Sequence, residues 1–77
     1  MTDTVTNKTR ATRAMEALKR FNEVSPCGMS WDREGVEILA GDLMADIYHL
    51  LAQEGIDPWS VVERAEGHFN TERDDER

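Results

Sequence analysis

The chain is short of most residues that would announce a function. It has a single cysteine, Cys27, so no disulfide can close within it, and the expected compartment is a reducing cytoplasm. Its aromatic content is only 6%. No apolar run approaches the roughly 18 residues that a membrane span needs. The opening segment, Met1 to Asn7, is polar and threonine-rich and lacks the apolar stretch of a signal peptide. There is no glycine-rich phosphate loop, no paired-cysteine metal motif and no serine-centred nucleophile motif. Basic residues are scarce as well: nine Lys and Arg stand against sixteen Asp and Glu, a formal charge of −7.

That charge is unevenly placed. Residues 1–24 carry a net +2, and residues 25–77 a net −9. An acidic body repels nucleic-acid phosphates and anionic lipid, so no direct nucleic-acid partner and no membrane are expected. A basic protein surface is the complementary partner. At 77 residues the chain is one small domain. A domain of this size buries only about 60% of its unfolded surface. Without a disulfide it is a candidate for stabilisation by self-association, and a homodimer is expected.

The periodicity is helical throughout, and the predicted fold class is all-α. Ala11, Ala14, Met15, Leu18 and Phe21 place a first helix over about 8–23, capped by Thr6 or Asn7. Ser25-Pro26-Cys27-Gly28 breaks it. Ser30 is the expected cap of a second helix over about 31–54, with Val36, Leu39, Ala40, Leu43, Ile47, Leu50 and Leu51 on one stripe that Met44 and Tyr48 widen. Gly35 and Gly41 weaken that helix and mark either a frayed first turn or a close helix contact. Gly55 stands where a left-handed helix ending belongs, with Ile56 to complete it. Asp57-Pro58 then restarts the chain as a third helix over about 58–72, with Trp59, Val62, Ala65 and Phe69 inward. The tight turn makes helices two and three antiparallel neighbours. The expected organisation is a disordered tail over 1–7, a compact three-helix domain over 8–73 and an acidic tail over 74–77.

Few residues offer chemistry. Asp42, Asp46, His49 and Gln53 share one side of helix two at metal-ligand spacing, though a solvated polar face has the same pattern, so no metal is expected; if one binds, Asp42 and Asp46 hold it. Cys27 has acids rather than cations near it, which disfavours a reactive thiolate. Trp31 and Trp59 each open a helix, where they cap the ends of the core or stand in an interface. No catalytic constellation is complete and no cofactor is expected.

The segment Gly41 to Leu51, then Gly55-Ile56-Asp57, then Ala65 to Glu72, resembles the helical hairpin of MazG-like proteins, in particular short phage and bacterial chains that end in it. The likeness covers residues 36–73. It implies an all-α nucleoside triphosphate pyrophosphohydrolase using Mg²⁺ on two acidic motifs, or a degenerate homologue. Asp42 and Asp46 fall near the second motif, with Glu37 upstream. The glutamate-rich first motif is not matched: the basic first helix offers Glu16 and Glu23, seven apart. What the likeness to phage-borne chains then implies is a non-enzymatic inhibitor carried by a mobile element, as anti-CRISPR proteins are. Such a protein would occupy a basic nucleic-acid-binding surface of a host protein or nucleoprotein complex through Glu34, Glu37, Glu63 and Glu66, aided by Trp31 and Tyr48. In the expected dimer, Leu43, Ile47 and Leu50 supply the core and Met44, Tyr48 and Leu51 meet the second chain.

Overall fold

In the computed structural model, residues 5–26, 28 and 30–76 are described. They form three helices: α1 (Asn7–Val24), α2 (Arg33–Gln53) and α3 (Pro58–Asp75). Among the described residues there is no strand, and no helix is long and apolar enough to cross a membrane. The architecture is the expected all-α one, an antiparallel hairpin of α2 and α3 with α1 added at its N-terminal side.

Local chemistry sets the helix ends. The Thr6 hydroxyl accepts the Thr9 N–H at 3.1 Å, so α1 starts within the expected tail; residues 1–4 lie outside the described residues. The second helix begins later than expected. Asp32, not Ser30, is its cap: the carboxylate accepts the Gly35 N–H at 2.9 Å, which leaves Trp31 ahead of the helix. At the other end Gly55 is left-handed (φ 71°). The Ile56 N–H reaches the Leu51 carbonyl at 2.9 Å and the Gly55 N–H reaches that of Ala52 at 3.1 Å, a complete Schellman ending. Asp57 then caps α3 through the Trp59 N–H at 3.1 Å, with Pro58 in the first turn. The third helix runs on through Asp75 into the expected acidic tail, with Glu76 as its C-cap.

The placement of α1 decides what is covered. Its first turn is held by the last turns of α3. Arg10 Nε pairs with Glu72 Oε2 at 3.0 Å, the Asn7 amide donates to the Glu72 carbonyl at 3.0 Å, and the Asn7 backbone N–H donates to the Glu76 carboxylate at 2.6 Å. Its C-terminal end leads through residues 25–32 to the start of α2. The first turn of α1 therefore sits at the end of the hairpin away from the turn, and α1 packs on α2 where Leu18 and Leu39 are buried.

The core is correspondingly small. Among the described residues only two large side chains are buried, Leu18 of α1 at 7% exposure and Leu39 of α2 at 2%. Leu50 lies eleven residues farther on, about 16 Å of helix axis, and is 56% exposed. Ile47 is exposed and Leu43 half-buried. The stripe of α2 is therefore not the continuous core that its spacing suggests. Trp59 and Phe69, expected inward, are exposed at 65% and 62%. Gly35 marks a close approach, but to the incoming chain and not to a helix: a Cβ there would overlap the Ser30 carbonyl oxygen. A Cβ at Gly41 would meet open space.

Candidate functional site

Two features present themselves, and they meet at Glu66. The first is an apolar groove of about 410 Å³ between α2 and α3. Met44, Ile47, Tyr48 and Leu51 line it from α2, and Val61, Val62, Ala65 and Phe69 from α3. Helical spacing explains both sets, since residues three and four apart share a face. The antiparallel turn fixed by Gly55 then brings the two faces opposite each other. Toward the turn the half-buried Tyr48 meets Trp59 edge to face, with ring centroids 5.6 Å apart. At the far end the Arg73 guanidinium lies 5.6 Å from the centroid of the Phe69 ring. Glu66 is the one charged residue lining the groove.

The second feature is the charge of the helices. In α1 five Lys and Arg outnumber Glu16 and Glu23. In α2 four acids stand against Arg33, and in α3 five acids against Arg64 and Arg73. The acids of α1 are taken up locally: Lys19 pairs with Glu16 at 3.7 Å and Arg20 with Glu23 at 2.7 Å. By contrast Glu34, Glu37, Asp42, Asp46, Glu63 and Glu66 are exposed and enter no ion pair among the described residues.

The residues expected to meet a partner divide between these features. Glu34 lies in the first turn of α2 and Glu37 in the next, with Trp31 just ahead of the helix. Tyr48 is fourteen residues beyond Glu34, about 21 Å along the axis, and belongs to the groove. Glu66 is at the groove, and Glu63 is one turn closer to the hairpin turn. The structure thus does not assemble the six into one patch. Phe69, which lines the groove, and Trp59, which meets Tyr48 beside it, are residues that the expected partner site omitted. Their signal was present, because the turn at Gly55 places them opposite the wide edge of the α2 stripe.

Asp42, Asp46, His49 and Gln53 share a polar face. Rotating about 100° per residue puts that face about 180° around α2 from the groove. No group of three or more His, Cys, Asp or Glu among the described residues is arranged to hold a metal ion. The Asp32 carboxyl is held below its ordinary range. The Gly35 N–H and then the Ser30 side chain hold it low by stabilising the anion. A second hollow beside it, lined by Gly28, Ser30, Asp32, Glu34 and Gly35, is the start of α2, whose free N–H groups the Asp32 carboxylate already serves. Cys27 lies outside the described residues. Comparison of the chain with protein-family models, curated proteins and solved structures gives no match.

Proposed function

We propose that this chain is a small, non-enzymatic binding protein of the cytoplasm that docks its acidic α2–α3 side on a basic surface of a nucleic-acid-binding protein or complex. The observation that carries the reading is the set of exposed acids on α2 and α3, Glu34, Glu37, Asp42, Asp46, Glu63 and Glu66, none of which enters an ion pair among the described residues. A carboxylate at the surface costs little to keep there and gains most when it meets an opposing charge on a partner. The resemblance of residues 36–73 to short phage chains supports an inhibitor that competes with nucleic acid for its binding surface.

The test is competition. The chain, immobilised at low ionic strength, is expected to capture nucleic-acid-binding complexes from a bacterial lysate and to release them to added duplex DNA or RNA. Replacing Glu34, Glu37 and Glu63 together by Lys should cut capture at least tenfold while the helical circular dichroism stays unchanged. Each exposed pair contributes at most about 1 kcal/mol, so the effect comes from the set. Glu66 is left out of the variant because it touches the groove. Capture indifferent to both nucleic acid and charge reversal would overturn the reading. Mg²⁺-dependent release of pyrophosphate from a nucleoside triphosphate, lost on Asp46→Asn, would replace it with the MazG-like enzyme.

A further inference from the structure

We infer that the groove between α2 and α3 is a self-association interface, occupied by the same two helices of a second copy of this chain. The first argument is area. The chain exposes 6424 Å², whereas a folded monomer of 8.8 kDa exposes about 4,800 Å². Its radius of gyration is 14.4 Å, against about 11.5 Å for a globular chain of this length. The surplus, about 1,600 Å² per chain, lies in the range of about 1,000–2,500 Å² that each partner contributes to an obligate homodimer. Among the described residues two buried leucines make a small core, and covering the groove would add to it.

The second argument is which surface can take that burial. Among the described residues with large exposed side chains, Met44, Ile47 and Phe69 stand together on the groove, with Trp59 against Tyr48 at its end near the turn. The other exposed ones, Val5, Val24, Trp31, Ile38, Leu50 and Ile56, do not line the groove and are spread from the start of α1 to the hairpin turn. A chain of −7 resists meeting its copy through any acidic face. Asp42 and Asp46 lie on the opposite side of α2, so pairing through the groove keeps them in solvent and away from the copy. Two hairpins joined this way make a four-helix arrangement with the apolar faces inside, Asp42 and Asp46 outside, and Glu66 at the contact. A two-fold pairing is self-complementary, so one patch serves both copies. The interface stands or falls separately from the acidic docking face proposed above.

Light scattering across 1–100 µM tests it, read together with the circular dichroism. The expected mass is about twice that of the chain, falling toward the chain mass only at the dilute end. Met44→Glu and Phe69→Glu change side chains that are 50% and 62% exposed in the single chain, so neither disturbs its core. Each should weaken self-association at least tenfold. Val24→Glu, an exposed apolar position off the groove, should leave the dimer intact. A helical protein that stays at the chain mass up to 100 µM would overturn the inference and leave the groove to a partner of other chemistry. A dimer that survives both groove substitutions but is lost on Val24→Glu would overturn the choice of face. Groove variants that lose helicity would be read by concentration: wild-type melting that rises with concentration supports a dimer coupled to folding, and melting independent of concentration refutes it.

Discussion

Gly35 and Gly41 are two glycines in one helix with opposite physical meanings. In isolation each costs α2 up to about 1 kcal/mol relative to alanine. At Gly35 a methyl would enter the space of the Ser30 backbone, which is held near by the Asp32 cap and cannot move aside like a flexible side chain. Overpacking of that kind costs about 1–3 kcal/mol, which exceeds the gain in propensity. Gly35→Ala is therefore expected to destabilise the fold by about 1 kcal/mol or more. Gly41→Ala, with open space around it, should be neutral or stabilising by up to about 1 kcal/mol. Urea denaturation of the two variants reads both signs. Equal behaviour would mean that the approach of Ser30 to α2 is not kept in solution. Sequence alone could not separate the two residues, because the difference lies in where the preceding loop returns.

At the scale of the elements, whatever depends on local chemistry was legible and whatever depends on helix placement was not. Thr6, Gly55, Asp57 and Pro58 act through neighbours within a few residues, and the boundaries they set agree with their spacing. The cap of α2 moved from Ser30 to Asp32 because both residues offer a side-chain oxygen, and only the returning loop decides between them. The stripe of α2 spans about half the helix circumference, which is more than α1 alone can cover. Spacing cannot say that Leu39 is covered while Ile47 and Leu50 are left in the open. The same limit applies to the groove: each apolar face was readable, but their joint exposure follows from the tie between Asn7, Arg10 and the end of α3. A mutational contrast measures this. Leu39→Ala should cost about 2–5 kcal/mol, as for a buried leucine that leaves a cavity. Leu50→Ala, at the same residue type and on the same stripe, should stay within about 0.5 kcal/mol. Comparable losses in chemical denaturation would show that the stripe is covered along its length, as its spacing suggests, and not only at Leu39.

At the scale of the whole molecule, charge and apolar surface are directed toward different partners, and salt separates them. The basic α1 sits with two acidic helices, and the chain as a whole carries −7. Two copies therefore repel at long range, and only the apolar groove draws them together. A basic partner is attracted at the same range. Raising ionic strength from about 0.01 M to 0.15 M shortens the screening length from about 30 Å to about 8 Å. Self-association should then tighten several-fold as the repulsion between copies is screened, while capture of a basic partner should weaken by a similar factor or more. Sedimentation equilibrium at the two ionic strengths reports the first effect, and competition binding the second. The opposite signs are the decisive feature. If salt loosened the dimer too, the copies would be held by ion pairs between the basic α1 of one and the acids of the other. The row of acids on α2 and α3 would then be occupied within the dimer, and the groove would be open to a different partner.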